Sequence, residues 1–126
     1  MNKEELIQLK TATVDALRSV DINSYQLDKA DIRLSTYIAG CIGNPEAHNL
    51  YELLAIRRFF YLLDKYDFRP GKVRRFIVFY EKLKFSGTKG LTRYKLTPVQ
   101  VFQFTNILGF YRPGTNKRLI RDCLLY

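Results

Sequence analysis

The chain has 126 residues, 47% of them apolar and 26% charged, and a formal net charge of +9. That length suffices for one domain and is too short for two ordinary ones. The composition is that of a globular protein, which excludes a disordered chain. No apolar run approaches the roughly 18 residues that span a bilayer; the longest are Phe59–Leu63 and Phe76–Tyr80. The segment Met1–Glu5 carries no apolar signal region, so the expectation is a cytoplasmic protein with no membrane partner.

The charge is unevenly placed. Residues 1–66 hold 8 Lys/Arg and 9 Asp/Glu, whereas residues 67–126 hold 13 and 3. The chain therefore reads as one structural unit with a near-neutral helical region, 1–66, and a basic region, 67–126. Such a basic half is the footprint of a nucleic acid, a nucleotide or an acidic protein neighbour.

A first helix is expected over 3–19, capped by Asn2 with Glu5 three residues on. Leu6, Leu9, Ala16, Leu17 and Val20 keep roughly helical spacing. After a break at Asn23-Ser24, a second helix is expected over 26–42, with Ile32, Tyr37, Ile38 and Cys41 as its apolar stripe. Gly43-Asn44-Pro45 ends it. A third helix over 46–65 presents Leu50, Leu53, Leu54, Phe60 and Leu63 on a wide buried face. Pro70 opens a fourth helix to about residue 84, with Val73, Phe76, Ile77, Tyr80 and Leu83 facing the core.

Residues 85–90 read as a loop and 91–96 as a short extended piece. Thr97 then caps a fifth helix that runs to about Leu108, with Pro98 at its first position and Gln100 completing a capping box. Gly109 closes it. Arg112–Asn116 is a turn, and 117–126 alternates as a strand. The fold class is therefore mainly α, about five helices with a short β element at the C-terminal end. The last strand lacks an obvious neighbour. Either it pairs with 91–96, or the chain stops before its sheet is built. Its apolar finish at Leu124, Leu125 and Tyr126 is expected to promote association.

Catalytic and metal motifs are missing from the sequence. Cys41 and Cys123 read as free thiols, and His48 reads as a loop residue ahead of the third helix. One histidine and two distant cysteines lack the paired spacing of a structural zinc site. Gly109 and Gly114 have the separation of a Walker A loop, but Thr115-Asn116 stand where Lys and Ser or Thr are needed. Asp28 with Asp31, and Asp64 with Asp67, lie on surfaces with no apolar pocket to tune them. Arg57 and Arg58 read first as salt-bridge partners of Asp64 or Asp67, and second as phosphate contacts. The stripe Lys72, Arg75, Lys82 with Lys84 reads as a solvated helix face or as a set of phosphate or DNA contacts, with Phe79 beside it. Gln100 either completes the capping box and nothing more, or offers its amide to a purine edge.

These residues carry a resemblance. Leu96-Thr97-Pro98-Val99-Gln100 is followed by an apolar helix ending in Gly109-Phe110, the turn 112–116, and the basic start of a strand at Lys117-Arg118. This is similar to the stretch just ahead of the ATP-binding loop in bacteriophage terminase large subunits, the ATP-driven motors of DNA packaging. That family shows Leu-x-Pro-Trp-Gln, an apolar helix ending in Phe-Gly-Phe or Phe-Gly-Trp, a short turn and a basic strand; Val99 stands where the family has Trp. Residues 46–84, with Arg57-Arg58, Asp64, Phe68 and the run Phe76–Leu83, resemble the family's helical lead-in.

The resemblance implies that Gln100 reads adenine, that Leu96 and Pro98 shape its pocket, and that 117–126 is the first strand of an α/β ATPase core. Arg118 joins the phosphate or DNA contacts. In the intact family ATP and Mg are the cofactors, and phage DNA, a small terminase subunit and the portal are the partners. The family's Walker A lysine, Walker B acids and nuclease carboxylates have no match here, so the expectation is an N-terminal fragment that neither hydrolyses ATP nor cuts DNA. Two other classes compete with it. One is a small basic DNA-binding module of phage or prophage origin. The other is a helical interaction domain that docks through its near-neutral first half.

Overall fold

The computed structural model describes residues 2–87 and 90–120. Five α-helices are present among them: α1 (Lys3–Arg18), α2 (Ile32–Gly43), α3 (Leu50–Lys65), α4 (Pro70–Lys82) and α5 (Pro98–Leu108). Four short strands accompany them: β1 (Asp67–Phe68), β2 (Lys84–Gly87), β3 (Gly90–Arg93) and β4 (Phe110–Tyr111). The protein is mainly helical, as expected.

Local chemistry sets most helix starts. Asn2 accepts from the Glu5 N–H at 2.8 Å and opens α1. Asp31 accepts from the Arg33 N–H and opens α2. Asn49 accepts from the Glu52 N–H and opens α3. Each cap satisfies a donor that the first helical turn leaves over. These caps correct two expected boundaries. The second helix begins at Ile32 rather than 26, because Gln26 is left-handed at φ 53° and Leu27–Lys29 forms a separate 3-10 turn. The third begins at Leu50, after a 3-10 turn over Pro45–Ala47.

The core draws on both halves of the chain. α1 packs on α3, and α5 packs on α2 and α4. Phe59 is fully buried at the centre, with its ring 5.5 Å from Phe102, 5.6 Å from Phe110 and 6.1 Å from Phe68. The pairs are close to edge-on, the geometry that aromatic quadrupoles favour. Several predicted faces hold: Leu17, Ile38, Cys41, Leu53, Phe60, Val73 and Ile77 are buried. Ile32 does not hold, being 64% exposed at the first position of α2. Leu6 and Leu83 are also exposed.

The strands pair differently from expectation. The segment 91–96 contributes β3, which pairs antiparallel with β2 as a hairpin, so the expected loop over 85–90 is in part a strand. β1 pairs antiparallel with β4, Phe68 opposite Phe110. Within the expected last strand, Arg118 forms an antiparallel bridge to Tyr111, and the Leu119 N–H donates to the Phe110 carbonyl. Its described part therefore lies beside β4. Residues 121–126, with Cys123 and the apolar finish, lie outside the described residues.

Candidate functional site

The segment 96–100 is held from beneath by a charged clasp. Arg33, in the first turn of α2, donates to both oxygens of Asp31 at 2.8 and 2.9 Å. It also donates to both oxygens of Glu81, near the end of α4, at 2.8 and 2.9 Å. The guanidinium reaches on to the Leu96 carbonyl at 3.0 Å, and Glu81 accepts the Leu96 N–H at 2.9 Å. Both backbone polar groups of Leu96 are thus satisfied by one ion pair. The three charged side chains are 18–25% exposed. The Arg33 hydrogen bonds hold the Asp31 and Glu81 carboxyls below their ordinary values, and the two carboxylates raise Arg33.

The clasp delivers Thr97 to the start of α5. Thr97 Oγ1 accepts the Gln100 N–H at 3.3 Å, while Gln100 Oε1 accepts the Thr97 N–H at 2.9 Å. The capping box expected from sequence is present, with Pro98 at the first helical position. Pro98 and Gln100 are exposed, whereas the Leu96 side chain is buried in the core. Leu96 therefore supports the surface from below rather than lining it. Gln100 Oε1 keeps a second lone pair, and its Nε2 makes no hydrogen bond among the described residues. An acceptor–donor edge stays open to solvent.

At its other end, α5 meets Gly109, whose N–H donates to the Thr105 carbonyl. Gly109 closes the helix, as expected. Its φ is −89°, so conformational freedom is not the reason for it. A Cβ there would come within 2.7 Å of the Thr105 carbonyl oxygen and 2.8 Å of the Phe68 ring. Close approach of β1 is what requires glycine. Arg69, just after β1, stacks on Tyr111 at 4.0 Å and donates to the Thr115 carbonyl and Asn116 Oδ1. It pins the turn 112–117, in which Gly114 has φ +72°.

The basic candidates are all exposed. Lys72, Arg75 and Lys82 share the outer face of α4 with Arg74 and with Phe79, itself 61% exposed. Lys84 follows in β2, opposite Arg93. Arg118 lies apart, beside β4. Arg57 and Arg58 are exposed and form no ion pair among the described residues; Asp64 accepts from the Tyr25 hydroxyl, and Asp67 pairs with Arg69. The expected salt bridge is therefore absent there.

The sequence reading missed two groupings. Arg33 and Glu81 are 48 residues apart, and only the packing of α2 and α4 around α5 joins them. The second is Cys41, His48 and Glu52, whose ligand atoms all lie within 4.8 Å of one another. The spacing of His48 and Glu52, four residues apart, was a legible signal. The approach of Cys41 was not.

No helix among the described residues is long and apolar enough to cross a membrane. Comparison with family models, with curated proteins and with solved structures finds no match to this chain.

Proposed function

We propose that this chain is the helical lead-in of a phage-type terminase large subunit, ahead of the ATP-binding loop of a DNA-packaging motor. The observation that supports the reading is the segment 96–111. A Leu-x-Pro-x-Gln pattern starts a capped helix of 11 residues, and Gly109-Phe110 turns directly into a strand. In this reading Gln100 presents its amide to the adenine edge, accepting from the exocyclic amine and donating to the ring nitrogen. Pro98 fixes the first turn. Leu96, buried and held by Arg33 and Glu81, keeps that turn from shifting.

ATP and Mg would be held chiefly by elements that these 126 residues do not contain, so tight nucleotide binding is not expected of the chain alone. Phage DNA, a small terminase subunit and the portal are the partners that follow from the reading.

Sequencing the gene across codon 126 tests it. The expected result is a basic segment containing Gly-Lys-Ser or Gly-Lys-Thr. A continuation into unrelated sequence, or ATP hydrolysis by the 126-residue chain itself, would overturn the reading.

A second reading, a small basic DNA-binding module, is favoured by one observation. The outer face of α4 gathers Lys72, Arg74, Arg75 and Lys82 around an exposed Phe79. Its test is the salt dependence of DNA binding.

A further inference from the structure

We propose that Cys41, His48 and Glu52 form a binding site for a zinc-class divalent cation. Cys41 comes from the last turns of α2, His48 from the connection after it, and Glu52 from the first turn of α3. Their donors are a sulfur, an imidazole nitrogen and a carboxylate oxygen, the set that borderline-soft cations select.

The geometry separates a metal site from two other readings. Cys41 Sγ lies 3.6 Å from His48 Nδ1, and Glu52 Oε2 lies 2.6 Å from the same nitrogen. In a nucleophilic triad the thiol and the acid use opposite ring nitrogens, so that the base can take a proton on one side while being oriented on the other. Here both converge on Nδ1, and no such relay runs through the ring. The arrangement also exceeds a simple ion pair, because a sulfur buried to 1% exposure is aimed at that same point.

Convergence on one point is what a metal requires. Tetrahedral coordination at ordinary zinc bond lengths separates sulfur from nitrogen by about 3.6 Å and nitrogen from oxygen by about 3.3 Å. The first separation is already present. The second needs the carboxylate to withdraw by about 0.7 Å from its 2.6 Å hydrogen bond, within reach of one rotamer adjustment.

The surroundings support the ligands. Tyr37, one turn before Cys41 on α2, donates its hydroxyl to Glu52 Oε1 at 2.9 Å and so leaves Oε2 facing the histidine. The Tyr37 ring stands edge-on to the imidazole, with centroids 6.5 Å apart. Outer contacts of this kind orient ligands and tune affinity. The His48 and Glu52 side chains are 25% and 29% exposed, which provides an entry path and a fourth position for water.

Binding balances simply. The Cys41 thiol proton leaves to solvent, the proton that bridges His48 Nδ1 and Glu52 moves through solvent to Nε2, and thiolate plus carboxylate neutralise the dication. The cation would tie the end of α2 to the start of α3.

The test uses the whole chain, stripped with a chelator and titrated with Co²⁺ as a spectroscopic probe and then with Zn²⁺. The expected result is one metal per chain, with a thiolate-to-cobalt charge-transfer band. Cys123→Ser keeps the band, whereas Cys41→Ser abolishes it. His48→Gln weakens binding at least about tenfold, and Tyr37→Phe does so by about tenfold. Circular dichroism checks that each variant is folded. Absence of the band in the parent chain overturns the proposal, as does a band that survives Cys41→Ser and disappears with Cys123→Ser.

Discussion

Arg33→Met removes five hydrogen bonds in one step, four to carboxylates and one to the Leu96 carbonyl. It leaves Asp31 and Glu81 side by side without a counter-ion. Removing one partner of a fully buried pair costs about 3–5 kcal/mol. These side chains keep 18–25% of their exposure, so water recovers part of that cost, and a loss of roughly 2–3 kcal/mol is expected. For a domain of this size that lowers Tm by roughly 10 °C. Arg33→Lys keeps the charge but cannot make two forks, and is expected to lose about half as much.

The pH dependence has a definite sign. Asp31 and Glu81 are both held below their ordinary values of 3.8 and 4.5, chiefly by Arg33. A depressed carboxyl contributes stability that is fully present above its ordinary pKa and is lost as pH falls through the folded value. The gap between parent and Arg33→Met is therefore full at pH 7 and closes below about pH 4. Urea denaturation at both pH values, with equal slopes confirmed, measures it. A gap under about 0.5 kcal/mol at pH 7 would refute the reasoning, as would a gap unchanged well below pH 4.

Gly109→Ala should destabilise the protein by about 1–3 kcal/mol, because its methyl group meets the Thr105 carbonyl oxygen and the Phe68 ring; thermal melting checks this, and a neutral result would mean that β1 yields freely. Thr97→Ala should cost about 1 kcal/mol and raise amide exchange at Gln100, whose N–H loses its acceptor. Under the DNA-binding reading, affinity for a short duplex should fall with salt at a log–log slope of about −3, for phosphates met by Lys72, Arg75 and Lys82. Arg75→Glu should flatten that slope, and an absence of binding at about 50 mM salt would remove this reading.

Much of the local structure was legible because capping acts over three or four residues. Asn2 with Glu5, and Thr97 with Gln100, carry their partners beside them in the chain, and both helices start where those residues indicate. The boundaries that moved did so for the same local reason. Asp31 and Asn49 are cap residues that the apolar periodicity alone overlooks.

Pairing across the chain was not legible in this way. Alternation marked 117–126 as extended, but register depends on which edge is near, and the edge that meets Arg118 is Tyr111. Gly109 closes α5 as expected, but the steric reason for glycine there was not legible, since the Phe68 ring that crowds it arrives from 41 residues earlier.

The candidate site divides along the same line. Composition and spacing alone placed the basic half of the chain and the capped fifth helix with Gln100 on its first turn, because each depends on near neighbours. The Arg33 clasp under Leu96 and the meeting of Cys41 with His48 and Glu52 came only from the tertiary structure. An arginine or a cysteine carries no record of its distant partner. Packing α5 against α2 and α4, and α2 against α3, brings such groups within reach, and charges brought into a shared interior must find one another or remain in water.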